Sequence, residues 1–324
     1  MWIVVTSSND FDEEIIKKRI NNEDSYIVVN SMKAAVEAVS KNDTIFVLPG
    51  KYYERLEIKT SDINIIGEDP DNTIIYYDLG AFGLLENGEK RGTFRSYSVF
   101  IDASNVYVEG VTIANTAGAG KIVGQALALY AEGDNLHFKN CRFLGHQDTI
   151  FTGPLPPMEY EHNGFVGPKE RAPRINGRQW YEKCYIEGDV DFIFGSATAF
   201  FSDCTICSLN RNHDPNGYVT APSTPKGQTY GYVFKNCEFT TDSCKEDSVY
   251  LSRPWRDYAK VVFIDCSFGK HIKKEGFHDW NKPCAHETVF YAEYPKISGR
   301  VDWEKDIDNP EFWRNIGFMD FTLE

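Results

Sequence analysis

The sequence of 324 residues predicts an all-β protein, a single-domain parallel β-helix with helical caps. Three observations predict this fold. A short motif containing cysteine recurs along the chain, the residues around it alternate between apolar and polar, and clusters of Gly, Asn, Asp and Ser separate the copies. Helical repeats would instead place apolar residues about 3.6 positions apart, and these segments do not show that spacing.

The recurring motif consists of a polar residue, a cysteine, any residue and an apolar residue. Its five copies are Asn140-Cys141-Arg142-Phe143, Lys183-Cys184-Tyr185-Ile186, Asp203-Cys204-Thr205-Ile206, Asn236-Cys237-Glu238-Phe239 and Asp265-Cys266-Ser267-Phe268. A sixth copy without the thiol is Val108-Glu109-Gly110-Val111-Thr112-Ile113. After Cys184 the copies follow at intervals of 20, 33 and 29 residues, and recurrence on this scale is typical of stacked repeats.

Each copy has the period of a strand with one buried face. One coil alone cannot bury that face, whereas stacked coils form a continuous core. We therefore expect the cysteines to stack inside the β-helix as small apolar residues. The single close pair, Cys204 and Cys207, has no second CxxC partner, so structural thiols are favoured over a metal or redox site.

The two ends of a β-helix expose strand edges that must be covered. Near the N-terminus, Ser31 is a good N-cap for a helix with an apolar face formed by Met32, Ala35, Val36 and Val39. Near the C-terminus, Asn309-Pro310-Glu311-Phe312-Trp313 has the pattern of an N-cap, a proline at the first helical position and an apolar face. We expect these two helices to be the caps.

The composition limits the function classes. Lys and Arg total 34 against 48 Asp and Glu, a net charge of −14, which disfavours binding to nucleic acid or an anionic membrane. No apolar run approaches the roughly 20 residues of a membrane-spanning helix. The N-terminus lacks the basic region of a signal peptide, so a cytoplasmic protein is expected if the chain starts at Met1, or a secreted one whose leader has been removed. We expect a monomer.

The cysteine motif also predicts where carboxylates meet. Asp148 lies seven residues after Cys141, and Asp191 lies seven residues after Cys184. If those cysteines stack, the aspartates stack as well, on coils about 4.8 Å apart. Two carboxylates this close require either a cation such as Ca²⁺ or a proton on one of them.

An arginine is the second candidate for charge compensation. Arg253 precedes Cys266 by 13 residues, just as Asp191 precedes Cys204 by 13. The two side chains are therefore expected on the same side of the β-helix, about two coils apart. An extended arginine can span that distance, and its planar fork suits a carboxylate.

Four blocks of sequence surround these residues. They are Gly124-Gln125-Ala126-Leu127-Ala128-Leu129, Gly145-His146-Gln147-Asp148-Thr149, Gly188-Asp189-Val190-Asp191-Phe192-Ile193-Phe194-Gly195 and Leu251-Ser252-Arg253-Pro254-Trp255. In order and spacing they resemble the signature blocks of the pectin methylesterase family. Weaker similarity covers nearly the whole chain. The family's fold is a right-handed parallel β-helix, in agreement with the repeat pattern.

The resemblance implies a role for each of these residues. Asp191 would be the nucleophile, Asp148 the general acid and base, and Arg253 the partner that orients Asp191. Gln125 and Gln147 would donate hydrogen bonds to the oxyanion. Sugar contacts are implied at Trp255, Phe194, Val190 and Tyr130. The implied substrate is methyl-esterified pectin or an oligogalacturonide, hydrolysed to carboxylate and methanol without a cofactor or metal.

Some positions depart from the family pattern. His146 stands where Tyr is frequent, Ser196 where Asn is frequent, and Ser252 where Gly is frequent. The segment from Gly153 to Arg178, rich in Pro, Gly and charge, predicts a long loop. Because this loop follows Asp148 closely, we expect it to overhang the site and to restrict which chain lengths enter.

Two other functions remain open at this point. A pectate lyase-like β-helix would use the two aspartates to hold Ca²⁺, although it would not require Gln125, Gln147 or the Arg-Pro-Trp block. A non-catalytic β-helix that binds carbohydrate would gain little from two crowded carboxylates. The seven histidines show no metal-binding spacing, and no G-x-S-x-G motif indicates a serine hydrolase.

Overall fold

The computed structural model describes residues 1–7, 13–20 and 25–321. The described chain winds as a parallel β-helix whose strands form three sheets of eleven, eight and seven strands. Every pairing between these strands is parallel. A typical coil contributes one strand to each sheet, so the apolar faces of successive coils share one core.

The eleven-stranded sheet runs the full length of the β-helix. In spatial order its strands are β2 (Tyr26–Val29), β1 (Trp2–Val5), β3 (Thr44–Val47), β6 (Ile63–Gly67), β9 (Val106–Glu109), β12 (Leu136–Lys139), β15 (Arg178–Glu182), β18 (Thr198–Ser202), β21 (Tyr232–Lys235), β24 (Lys260–Ile264) and β26 (Phe290–Tyr294).

The other two sheets complete each coil. The eight-stranded sheet contains β25 (Ser267–Phe268), β22 (Glu238–Thr241), β19 (Thr205–Ser208), β16 (Tyr185–Gly188), β13 (Arg142–Leu144), β10 (Thr112–Asn115), β7 (Thr73–Tyr77) and β4 (Gly50–Tyr53). The seven-stranded sheet contains β23 (Val249–Ser252), β20 (Gly217–Pro222), β17 (Val190–Gly195), β14 (Ile150–Thr152), β11 (Leu129–Glu132), β8 (Val99–Asp102) and β5 (Leu56–Ile58).

The polar residue of the cysteine motif forms the corner between the eleven-stranded and eight-stranded sheets. Asn140, Lys183, Asp203, Asn236 and Asp265 all lie in the left-handed region, with φ between 48° and 55°. Asn and Asp tolerate this conformation better than most residues because their short side chains can hydrogen-bond locally. The motif therefore encodes a sharp turn followed by a strand.

The cysteines stack behind these corners, as the motif predicts. Four of them, Cys141, Cys184, Cys204 and Cys237, are buried, and Cys266 is partly buried. Each thiol lies against a backbone carbonyl of the preceding coil; for example, Sγ of Cys204 donates to the oxygen of Tyr181 at 3.2 Å. All eight cysteines are free thiols. The interior ladder is confirmed.

A second ladder, of aromatic rings, fills the centre of the core. Phe138, Tyr181, Phe201, Phe234 and Phe263 stack from coil to coil, with centroids 4.4 to 5.2 Å apart. The spacing matches the rise between parallel strands, so one ring position per coil suffices to build a continuous stack. All five rings are buried.

The predicted N-terminal cap is confirmed. Helix α2 (Met32–Ala38) begins after Ser31, whose side chain accepts a hydrogen bond from the backbone nitrogen of Ala34 at 3.1 Å. Met32 and Ala35 are fully buried against the end of the core. Helix α1 (Glu13–Arg19), which the sequence pattern did not predict, packs Ile16 beside Val4 on the outer face of the eleven-stranded sheet.

The predicted C-terminal helix forms, but it does not close the end of the core. Helix α5 (Pro310–Asn315) begins after Asn309, whose side chain accepts from the nitrogen of Phe312 at 3.1 Å. It lies on the outer face of the eleven-stranded sheet, where Phe312 and Trp313 cover apolar residues such as Val233. This outer face is itself apolar, and the sequence period alone did not show that it needs cover.

The last coil is closed by segments that precede α5. Trp303 packs against Phe277 and Tyr291, with ring centroids 6.2 and 6.0 Å apart. The short helix α4 (Ala285–Thr288) contributes the buried Ala285 to the same end. Another short helix, α3 (Gly120–Val123), lies at the seven-stranded sheet near the candidate site. Within the described part of the chain, no helix has the length and apolar character needed to span a bilayer.

Candidate active site

The β-helix register brings the two aspartates together. Ile150 of β14 pairs with Ile193 of β17, which aligns Asp148 with Asp191 on neighbouring coils. The backbone nitrogen of Asp148 donates to the oxygen of Val190 at 3.0 Å. Both aspartates have positive φ, 66° and 49°, a conformation that aspartate tolerates. The sequence offset from the cysteines predicts this juxtaposition.

Arg253 holds the carboxylate of Asp191 with both arms of its guanidinium. Nε donates to Oδ1 at 2.8 Å, and Nη2 donates to Oδ2 at 2.6 Å. Arg253 follows β23, two strands beyond β17 in the seven-stranded sheet. Such a bidentate ion pair fixes the orientation of the carboxylate.

Two aromatic rings hold Arg253 in turn. Its guanidinium lies 3.8 Å from the ring centre of Tyr218 and 3.7 Å from that of Trp280. Contacts of this kind favour a planar, delocalised cation. Arg253 is therefore held by two aromatic rings as well as by its ion pair with Asp191.

Asp148 is in a different electrostatic environment. It is 7% exposed, and its side chain makes no hydrogen bond with any of the described residues. Burial raises the pKa of the Asp148 carboxyl well above its ordinary value, the neighbouring Asp191 raises it further, and Arg253 opposes the shift. The pair thus combines an ion-paired carboxylate with a carboxyl group that favours its protonated form.

Both aspartates open into a cleft of about 390 Å³. The predicted oxyanion donors, Gln125 and Gln147, also line it. Among the described residues, no group hydrogen-bonds to either side-chain amide. Helix α3 packs closely beside one of them, since a Cβ on Gly120 would lie 2.5 Å from Oε1 of Gln147. The two amides are thus present beside the carboxyl pair with free hydrogen-bonding capacity.

Two of the four predicted sugar contacts lie in the cleft. Phe194 and Trp255 line it, with ring centroids 5.6 Å apart. Such rings suit the apolar face of a pyranose. Phe94 and Phe165 extend this aromatic surface.

Tyr130 and Val190 do not line the cleft. Tyr130 is fully buried beneath Phe94 and Phe151, with centroids 5.9 and 4.8 Å away, so the proposed sugar contact is wrong for this residue. The strand period directs its side chain outward, but other aromatic residues cover it. Val190 is 8% exposed, and its carbonyl receives the Asp148 backbone hydrogen bond.

The sequence predicts that the loop from Gly153 to Arg178 overhangs the site, and five residues of this loop do line the cleft, together with six residues outside the four signature blocks. The residues are Thr93, Phe94, Glu159, Tyr160, Glu161, Gly164, Phe165, Ala221, Arg256, Trp280 and Lys282. Arg256 directly follows the Arg-Pro-Trp block, and Thr93 and Phe94 lie in Gly92-Thr93-Phe94-Arg95-Ser96, one of the segments of weaker similarity. The sequence therefore carried a signal for these three residues. Nothing in the local sequence predicts that Trp280 belongs to the cleft, because only the folded chain brings it into contact with Arg253.

Comparison with known proteins identifies the family. Residues 20–155 and 174–311 match the family model named Pectinesterase. The chain belongs to the pectinesterase family. Pectinesterase QRT1 of Arabidopsis thaliana is 30% identical over 301 residues, which is 89% of this chain and 72% of that protein. The chain spans less of some relatives, such as 45% of pectinesterase/pectinesterase inhibitor U1 of Solanum lycopersicum, which is 32% identical over 86% of this chain.

Solved structures agree with this assignment. The pectin methylesterase from carrot superimposes with a TM-score of 0.70 and 26% identity, covering 93% of this chain and 86% of the carrot chain. Pectin methylesterase PemA from Erwinia chrysanthemi gives a TM-score of 0.73 at 24% identity, covering 99% and 98%. The predicted fold, a right-handed parallel β-helix, is confirmed.

Proposed function

We propose that this pectinesterase hydrolyses C6 methyl esters of homogalacturonan or oligogalacturonides to free carboxylate and methanol. Membership of the family supports ester hydrolysis on pectin. The observation that supports the detailed proposal is that the two aspartates lie in different electrostatic environments. Arg253 donates to both carboxylate oxygens of Asp191, whereas burial raises the pKa of the Asp148 carboxyl group.

The first step forms a covalent intermediate. A carboxylate oxygen of Asp191 attacks the C6 carbonyl carbon, and the carbonyl oxygen becomes an oxyanion. The amides of Gln125 and Gln147 can donate to that oxygen, and neutral donors do so without altering the charges of the aspartates. When the tetrahedral intermediate collapses, the bond to the methoxy oxygen breaks and Asp148 supplies the proton that makes methanol.

The second step restores the enzyme. Asp148, now ionised, removes a proton from a water molecule that attacks the same carbonyl carbon. The bond to Asp191 then breaks, which releases the galacturonic acid group, whose proton passes to solvent, and returns Asp191 to its ion pair with Arg253. One ester and one water give one carboxylic acid and one methanol, and no redox partner is required.

The geometry of the site fits a calcium-dependent lyase less well than it fits an esterase. Both oxygens of Asp191 accept hydrogen bonds from Arg253, at 2.8 and 2.6 Å, so Ca²⁺ would compete with a fixed cation for each oxygen. A carboxyl group inclined to hold its proton, as in Asp148, is also a weak calcium ligand. These contacts favour hydrolysis over elimination.

The experiment measures both products at once. The protein is incubated with methylated pectin and with methylated oligogalacturonides, with and without EDTA, while methanol and unsaturated uronides are followed. We expect methanol that survives EDTA. In Asp191→Asn, kcat should fall by at least about 10³-fold, the scale seen when an enzyme loses its nucleophile.

A matched control is Asp203→Asn. Asp203 also has a left-handed conformation, with φ of 55°, but it is exposed at a corner of the β-helix and lies outside the cleft. This variant should keep its activity. Methanol release that persists in Asp191→Asn would overturn the assigned nucleophile, and EDTA-sensitive unsaturated uronides would mean a lyase.

A further inference from the structure

One wall of the cleft lies outside the family match. The family model matches residues on both sides of residues 156–173 but not these residues themselves, and we call this segment the insertion. It belongs to the loop between β14 and β15, which contains neither helix nor strand. Glu159, Tyr160, Glu161, Gly164 and Phe165 of the insertion line the cleft that contains both aspartates.

The base of the insertion is anchored to the β-helix. Nζ of Lys169 lies 2.7 Å from a carboxylate oxygen of Asp102 at the end of β8. Arg174 donates to three carbonyl oxygens of the insertion, those of Lys169, Glu170 and Ala172, at 2.7 to 2.8 Å. Phe165 is 5% exposed. The base of the insertion is therefore held by specific contacts.

The tip of the insertion reaches residues that follow β23. The guanidinium of Arg256 lies 3.9 Å from the ring centre of Tyr160, and its Nη2 donates to the carbonyl oxygen of Met158 at 2.9 Å. Strands β14, β17, β20 and β23 are successive neighbours, so β14 and β23 lie about 14 Å apart at the usual strand spacing. The insertion thus extends along the cleft past the coil of Asp191.

Lys282, from a third segment of the chain, lies beside the contact between Tyr160 and Arg256. Nζ of Lys282 donates to the carbonyl oxygens of Pro254 and Trp255 at 2.8 and 3.1 Å. It also lies 5.8 Å from the ring centre of Tyr160. Tyr160, Arg256 and Lys282, which we call the bridge, therefore connect the insertion to the segments after β23 and β25.

We propose that the bridge closes the cleft on its β23 side, so that the enzyme selects short methylated oligogalacturonides and chain ends. The proposal rests on the function proposed above. An ester inside a long polymer needs the sugar chain to continue in both directions, and the bridge occupies one of them. The cleft volume of about 390 Å³ is near the lower end for ligand pockets, about 300–1,000 Å³, which suits a short substrate.

The test compares esters in short and long substrates. Methanol release per ester is measured for methylated tri- to hexagalacturonides and for long pectin with the same degree of methylation. The wild-type protein should prefer the oligomers in kcat/KM. Tyr160→Ala and Arg256→Ala should each shift this preference towards pectin by about tenfold, equivalent to about 1.4 kcal/mol.

His162→Ala is the matched control. His162 is an exposed residue of the same insertion but does not line the cleft, so its replacement should leave the preference unchanged. The proposal is overturned if wild-type protein acts equally well per ester on long pectin. It is also overturned if the two bridge variants retain the wild-type preference.

A binding measurement separates this proposal from the proposed function. Absence of methanol from every substrate would overturn the function, but calorimetry with unesterified oligogalacturonides still tests the closed cleft. If the affinity stops rising at a short chain length, the bridge closes the cleft as proposed. In Tyr160→Ala the affinity should then rise with chain length again. Affinity that keeps rising with length in the wild-type protein overturns the proposal.

Discussion

At the scale of single residues, the proposed chemistry depends on the ion pair between Arg253 and Asp191. Arg253→Lys keeps the positive charge but loses the bidentate fork and the stacking on Tyr218 and Trp280. Lysine is therefore a poor replacement at this position. We expect kcat/KM to fall by about 100-fold, in line with the loss of one charge-assisted hydrogen bond worth about 1.5–3 kcal/mol.

Arg314→Lys is the control for that change. Arg314 also contacts a carboxylate with two nitrogens, those at 3.1 and 3.2 Å from Asp265, and its guanidinium lies 4.8 Å from the ring of Tyr294. It is exposed and does not line the cleft. Steady-state kinetics on one methylated oligomer should show an unchanged kcat/KM for this variant. Equal losses in the two variants would contradict the special role of Arg253.

The role proposed for Asp148 predicts a pH dependence. Burial and the nearby Asp191 raise the pKa of Asp148, and the acid step of the proposed mechanism needs its protonated form. Asp148 holds its proton below its raised pKa and loses it above, so kcat/KM should decline as pH rises through that value. A profile of kcat/KM against pH measures this limb, because kcat/KM reports the free enzyme.

His146 could produce a similar limb and must be separated from Asp148. Its Nδ1 lies 3.2 Å from Asp189, and this hydrogen bond raises the pKa of His146 while burial opposes the shift. In His146→Tyr the group no longer titrates near neutral pH. If Asp148 is the acid, the alkaline decline survives in this variant, whereas its disappearance would assign the limb to His146.

At the scale of structural elements, the aromatic ladder stabilises the stacked coils. Phe201 is fully buried, with Tyr181 and Phe234 at centroid distances of 4.7 and 4.4 Å. Phe201→Ala should lower the free energy of unfolding by about 3–5 kcal/mol, the usual cost of removing a buried ring. Urea denaturation measures this difference. Phe312→Ala on α5 is the control, since Phe312 is 42% exposed, and a similar loss there would contradict the importance of the ladder.

The stacked coils also explain which parts of the site could be predicted from the sequence. In a β-helix, an equal offset from a repeated corner becomes an equal position on the next coil. The offsets of Asp148 and Asp191 from their cysteines therefore predict contact across 43 residues. The same reasoning fails to predict the burial of Tyr130. The alternation of its strand directs the side chain outward, but Phe94 and Phe151 cover the ring. The alternation along a strand predicts which way a side chain points, but not which other residues cover it.

The contacts of long loops are a second limit on prediction from sequence. Trp280 stacks on Arg253 and Tyr160 contacts Arg256, yet neither aromatic residue lies in a repeated motif. Helix α5 shows the same limit, because its N-cap and proline predict where it begins but not which face of the β-helix it covers. Local signals determine an element, whereas its docking depends on surfaces formed by distant segments.

At the scale of the whole molecule, net charge should affect which substrates bind. The protein carries a formal charge of −14, and each free galacturonate adds a negative charge to the substrate. Repulsion between them acts over the Debye length, about 30 Å at 0.01 M salt and about 10 Å at 0.1 M. A partly de-esterified oligomer should therefore bind more weakly at low ionic strength than a fully methylated one of equal length.

Salt should remove most of this difference. Raising NaCl from about 0.01 to about 0.1 M shortens the screening length threefold, so KM for the partly de-esterified oligomer should fall. The fully methylated oligomer is the internal control, because it carries no repeating charge and its KM should change little. Initial rates on hexamers of defined methylation measure both values. A KM for the charged oligomer that rises with salt would show that local cations such as Arg256 and Lys282 outweigh the overall field.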